Sequence, residues 1–147
     1  MTKTIVTVLG VVFIMIGLIG LESPHVIGTH LTKVHNLIHL FSGAMALYFG
    51  LRASLVRTRQ FAFVFGILYG LLGVVGFIAG VPIVASFHGM EQASTDPHLW
   101  QIVPGVLVFG TTDHIVHILS GLLFLSAAVP TKHRSSHTDF RERLSQS

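Results

Sequence analysis

Residues 35–43 read HNLIHLFSG and open a long apolar run with two histidines, His35 and His39, one helical turn apart. Residues 113–121 read DHIVHILSG and open a second apolar run in the same way. Ionisable side chains are costly inside a bilayer and face the protein interior when they occur there. A chain that writes this pattern twice at the mouth of a hydrophobic segment reads as a membrane protein with an internal repeat.

Composition points the same way. Of 147 residues, 51% are hydrophobic and only 10% charged, outside the usual range of soluble domains. That length is one domain. The formal net charge is +3, but the basic residues stand in short stretches between apolar runs, so they read as topological signals and not as a nucleic-acid surface. The sequence has no cysteine, which excludes disulfides, zinc–thiolate sites, iron–sulfur clusters and covalent haem attachment. Metal chemistry is left to histidine, carboxylate and methionine.

The apolar runs predict an all-α protein, a four-helix transmembrane bundle with spans at about 4–21, 34–51, 61–80 and 113–129. Residues 4–21 exceed the apolar core of a signal peptide and no small-x-small cleavage site follows, so they are read as mature sequence. The stretch LWQIVPGVLVFG at 99–110 is short and interrupted by Pro104-Gly105, so a re-entrant or interfacial segment is expected, with Trp100 at headgroup level. Residues 131–147 have the polar, serine-rich composition of a disordered tail. Lys3, Arg52, Arg57, Arg59, Lys132, Arg134, Arg141 and Arg143 fall on one side of a four-span path, and Lys33 alone on the other. Positive loops stay in the cytoplasm, so both termini are expected there, as part of a multi-pass plasma-membrane protein. Residues 22–33 and 81–112 then lie outside, carrying Glu22, His25, His30, His88, Glu91, Asp96 and His98.

Laid on one another, HNLIHLFSG and DHIVHILSG share His39/His117, Ser42/Ser120 and Gly43/Gly121, with apolar residues at four further positions. In the preceding helices, Gly17-Leu18-Ile19-Gly20 resembles Gly73-Val74-Val75-Gly76. The expectation is two parallel helix-pair repeats, related by an approximate two-fold axis along the membrane normal, with His39 and His117 at matching depth. Positions i and i+4 share a helix face, so His39 lies with Gly43 and His117 with Gly121. His35 and Asp113 precede them by one turn; Asn36 and His114 border the same face. Gly66, Gly70, Gly73, Gly76 and Gly80 form a small-residue stripe for close helix contacts within one subunit, in a homo-oligomer or with another membrane protein.

The paired motifs resemble those of a bacterial family of small four-helix membrane proteins known only as a domain of unknown function. Asn36, His39 and Gly43 match its N-x-x-H-x-x-x-G pattern, and Asp113, His117 and Gly121 its D-led counterpart. The resemblance covers the four helices and not the tail. It implies a fold and an address in the bacterial cytoplasmic membrane, with no established activity.

Three chemistries suit these residues. One is a transition-metal site for zinc or copper, with His39 and His117 as ligands, Asp113 as a third ligand or as the acceptor that fixes a ring tautomer, and His35 and His114 in support. Another is a b-type haem clamped between His39 and His117, with Gly43 and Gly121 supplying room. The third is a proton path, which helices one and three would leave unfinished for want of an ionisable core residue. Against all three stands a structural role, in which the His/Asp/Asn cluster only locks the repeats together. His88-Gly89-Met90-Glu91 and the tail pair His133 and His137 read as solvated. No hydrolase, nucleotide-binding or zinc-protease motif is present, so enzymatic activity lacks sequence support.

Overall fold

The computed structural model describes residues 1–23, 29–82, 84–87, 90–93 and 96–130. The expected disordered tail at 131–147, and His25, His88, His133 and His137, lie outside the described residues. The chain is mostly helical, with α1 Thr2–Glu22, α2 Lys33–Leu51, α3 Leu55–Ala79 and α4 Thr111–Ala128. Three of the four start where a side chain satisfies an open first-turn amide. Thr32 accepts from the His35 amide at 3.3 Å and Ser54 from the Arg57 amide at 3.4 Å. At the head of α4, Asp113 reaches back to accept from the Gly110 amide at 2.8 Å. Because Ser54 caps it, α3 begins at Leu55 and not near Phe61, so Arg57 and Arg59 belong to the helix and not to a loop.

Helices α1, α2 and α3 are long and apolar enough to cross a membrane. The 18 residues of α4 cover about 27 Å at about 1.5 Å per residue. Its buried face holds Asp113, His114, His117 and Ser120, while Ile115, Leu119, Leu122 and Leu123 are exposed. The same inversion runs through the other helices. Val8, Met15, Leu37, Phe41, Leu68 and Leu71 face outward, whereas Thr2, His35, Asn36, His39, Ser42 and Thr58 are buried. Soluble domains place these classes the other way round.

Helix α1 lies along α2, and α3 along α4. The two pairs share a core that includes Val6, Phe13, Ala46, Ala62, Tyr69 and Phe124. Contacts within the first pair recur in the second. Gly10, Gly17 and Gly20 stand 56 residues before Gly66, Gly73 and Gly76, and Asn36, Leu40, Gly43 and Leu47 stand 78 before His114, Ile118, Gly121 and Leu125. A Cβ on Gly10 would meet Leu47, one on Gly17 Leu40, and one on Gly20 the Asn36 side chain. On Gly66, Gly73 and Gly76 it would meet Leu125, Ile118 and the His114 ring. Gly43 and Gly121 likewise approach the carbonyls of Gly10 and Gly66. Glycine is needed at Gly10, Gly17, Gly43, Gly66, Gly73 and Gly121 because backbone of the neighbouring helix comes this close, and at Gly20 and Gly76 because the Asn36 and His114 side chains fill the space.

The segment joining α3 to α4 carries two short hairpins. Strand β1 Val84–Phe87 pairs antiparallel with β2 Met90–Ala93, and β3 Trp100–Val103 with β4 Leu107–Phe109. Residues 99–110 thus form a hairpin above Leu99. Pro104-Gly105 does not merely interrupt the stretch; it makes the turn of a hairpin. Gly105 has φ 70°, and the Val106 amide donates to the Val103 carbonyl at 3.0 Å. This is the pattern of a type II turn, with proline second and glycine third. Val81 pairs with Leu99 at the base of the connection, and the Thr32 hydroxyl donates to the Val106 carbonyl at 2.7 Å. The β3–β4 hairpin is thereby tied to the head of α2, and Phe109 is buried.

Candidate metal centre

His35 and His39 occupy successive turns on the buried face of α2, and His117 occupies the facing turn of α4. Their relative exposures are 1%, 3% and 3%. The rings meet, with centroids 4.4 Å apart for His35 and His39, 5.6 Å for His35 and His117, and 6.3 Å for His39 and His117. One ligand nitrogen from each lies within 4.8 Å of the other two. With metal–nitrogen bonds of about 2.0 Å, donors around one ion stand about 3.5 Å apart, so the three need to draw in by only about an ångström.

The protonation pattern suits a ligand set. Nδ1 of His35 lies 3.2 Å from the His30 carbonyl oxygen. A carbonyl only accepts, so Nδ1 carries the proton and Nε2 offers its lone pair. His35 Nε2, His39 Nδ1 and His117 Nδ1 are all buried with no hydrogen-bond partner. Buried polar atoms are ordinarily satisfied. Nδ1 of His98 and of His114 is unpartnered too, so what sets the three cluster nitrogens apart is the contact between their rings.

Aromatic rings close the cluster off. Phe109, delivered by the β3–β4 hairpin, lies edge-on at 4.7 Å from His35 and 5.1 Å from His117. Phe13 sits 5.5 Å from His39 and Tyr69 5.5 Å from His117. The Tyr69 hydroxyl donates to Ser42 Oγ at 2.9 Å. The sequence reading did not single out these rings. Phe13 and Tyr69 stand 56 residues apart, so carrying the glycine alignment four residues upstream pairs them; nothing in the sequence announces Phe109, which arrives through the hairpin.

The other candidates do different work. Asp113 is not brought into the cluster: its Oδ2 accepts from the His30 amide at 2.9 Å and the Gly110 amide at 2.8 Å, and lies 3.7 Å from His30 Nδ1. His114 turns away, its Nε2 2.9 Å from the His98 carbonyl and its ring beside Phe77 and Gly76. Asn36 donates to the Leu31 carbonyl at 3.1 Å. His114 and Asn36, at equivalent positions, thus fasten the segment that leads into each helix. Gly43 and Gly121 admit the neighbouring helix and not a ligand. His35 and Asp113, also equivalent, hold the His30 residue from both sides, one at its carbonyl and one at its amide.

Above the cluster, Asp96 accepts from the Thr111 hydroxyl at 2.5 Å, the Thr111 amide at 2.8 Å and the His98 amide at 3.0 Å. Burial pushes its carboxyl up, but these hydrogen bonds, with the His30 imidazole nearby, outweigh burial and hold it below the usual carboxylate range. The Asp113 carboxylate holds His30 above its ordinary value, against a smaller effect of burial, with Asp96 adding to the rise. In comparison with protein families, characterised proteins and solved structures, the chain matches none. Its own residues carry the functional reading.

Proposed function

We propose that this chain is a four-span integral membrane protein, built from two duplicated helix pairs, that binds one transition-metal ion between His35, His39 and His117. The observation that carries the proposal is the convergence of three buried imidazoles, one nitrogen of each within 4.8 Å of the others, with a nitrogen of each ring unpartnered. Recurrence of the interhelical contacts at constant sequence offsets supports the duplication. Outward-facing apolar side chains on α4 support its inclusion as the fourth span. Placing Lys3, Arg52, Arg57 and Arg59 in the cytoplasm puts the metal at the extracytoplasmic end.

An ion fits this site better than a macrocycle does. His35 lies within 5.6 Å of both His39 and His117, and Phe13, Tyr69 and Phe109 take up the remaining sides. A porphyrin would need a slot where these rings stand.

Elemental analysis and absorption spectroscopy of the detergent-purified protein test the reading. The wild type is expected to hold about one equivalent of metal, and His39→Ala and His117→Ala to lose it. A wild type that takes up no metal, with mutants that lose only thermal stability, would assign the cluster a purely structural role.

A further inference from the structure

Asp113 and His35 hold equivalent places in the two repeats, yet only His35 belongs to the three-histidine group. Resting on the three-histidine reading above, we infer that Asp113 serves the ion without ligating it, as the positioning residue for His35, through the backbone of His30, and as the ion's counter-charge. Oδ2 of Asp113 accepts from the His30 amide at 2.9 Å and from the Gly110 amide at 2.8 Å. The first of these bonds ties the segment before α2 to the head of α4. One peptide further on, the His30 carbonyl accepts from the Thr32 amide at 3.0 Å and faces Nδ1 of His35 at 3.2 Å. Asp113 thus holds in place the residue whose carbonyl selects the His35 tautomer and leaves the Nε2 lone pair for the ion. Carboxylates fix metal-binding histidines by direct contact in many proteins; here one residue of backbone stands between.

Charge is the second part of the role. Asp113 is 2% exposed, and its carboxylate acts electrostatically on His35, His39 and His117 alike. A buried cation is costly unless an opposite charge offsets it, and three neutral imidazoles supply none. The His30 imidazole lies 3.7 Å from Asp113 Oδ2. It does not use up the offset, because the Asp96 carboxylate acts on His30 as well, which leaves two carboxylates to one imidazole. Coulomb energy is proportional to the charge of the ion. The carboxylate therefore favours a divalent ion twice as strongly, in free energy, as a monovalent one.

The test uses the full chain in lipid nanodiscs, stripped of metal, with Zn(II) titrated against an indicator and Cu(I), the monovalent probe, titrated anaerobically against a chelator. Asp113→Asn keeps the shape and an accepting oxygen while removing the charge. It should weaken Zn(II) binding about 10–100-fold, the usual effect of losing a ligand's outer partner. Cu(I) binding should fall by only the square root of that factor, about 3–10-fold. Circular dichroism checks that helicity is retained. Nitrogen NMR spectra of the metal-free, histidine-labelled wild type should show His35 protonated at Nδ1, and Asp113→Ala, which removes the acceptor, should mix its tautomers. Unchanged Zn(II) binding in Asp113→Asn, or equal losses for the two ions, overturns the counter-charge. A wild-type His35 protonated at Nε2, or a tautomer that Asp113→Ala does not move, overturns the positioning role. Each of these results leaves the three-histidine site standing, whereas a wild type that binds neither ion overturns both readings.

Discussion

A glycine and a histidine in van der Waals contact make the clearest case at the scale of single residues. A Cβ on Gly76 would run into the His114 ring, whereas one on Gly70, six positions earlier on the same helix, meets nothing within 4 Å. Gly76→Ala should therefore destabilise the protein by about 1–3 kcal/mol through overpacking. Gly70→Ala should be neutral or stabilise by up to about 1 kcal/mol through helix propensity. Thermal unfolding in detergent reads both, and because His114 lies apart from the cluster of His35, His39 and His117, Gly76→Ala should leave the proposed metal stoichiometry unchanged. Tyr69→Phe removes one buried hydrogen bond to Ser42 and should cost about 1 kcal/mol. At the equivalent place in the first pair, Phe13 already lacks the hydroxyl. The four-residue spacing puts His39 on one helix face with Gly43 and His117 with Gly121, and the expectation that these faces point inward came from the cost of ionisable groups in lipid, not from the spacing. Neither showed that His35 would join them while Asp113, its equivalent, would not. That choice depends on where His30 enters, and residues 22–33 carry no periodicity from which to place it.

Among elements, the connection between α3 and α4 has the most conditional stability. Its closing knot joins Asp96 to Thr111 and His98, and His30 to Asp113. Asp96 is held below its ordinary 3.8, so its contribution is present above that value and is lost as pH falls through the lower, folded value. His30 is raised above its ordinary 6.5, so its contribution is complete below 6.5 and is lost as pH rises through the higher, folded value. Thermal stability should thus peak on a plateau between these limits. Asp96→Asn should weaken the acid limb and, because the Asp96 charge adds to the rise at His30, draw the alkaline limb toward lower pH, as unfolding temperature measured against pH would show. The hairpin itself was hard to read. Pro104-Gly105 reads equally as a break in a helix and as the middle of a turn, and the pairing of Trp100–Val103 with Leu107–Phe109 involves partners whose match local hydropathy does not encode. The helices were legible because length and apolarity are local properties; the start of α3 was not, because one serine cap outweighed two arginines.

For the molecule as a whole, the asymmetry of charge is the decisive feature. One end of the helices carries Lys3, Arg52, Arg57 and Arg59, while the other carries the histidines, Asp96 and Asp113, with Lys33 as its one lysine or arginine among the described residues. Basic residues resist translocation far more than acidic ones do. The basic end should therefore face the cytoplasm and the histidine cluster the outside. A sequence without cysteine makes this simple to measure, since any introduced thiol is the sole target. Arg52 and Pro97 are both exposed, one at the end of α2 and the other in the connection after β2. In intact cells, a membrane-impermeant maleimide should label Pro97→Cys and spare Arg52→Cys, and permeabilisation should bring Arg52→Cys up to the same level. The reverse pattern would invert the topology and move the histidine cluster to the cytoplasmic face. Equal labelling of both in intact cells would put the connection and the α2–α3 turn on one side, so that α3, the one helix between Arg52 and Pro97, would not cross and the four-span path would be excluded.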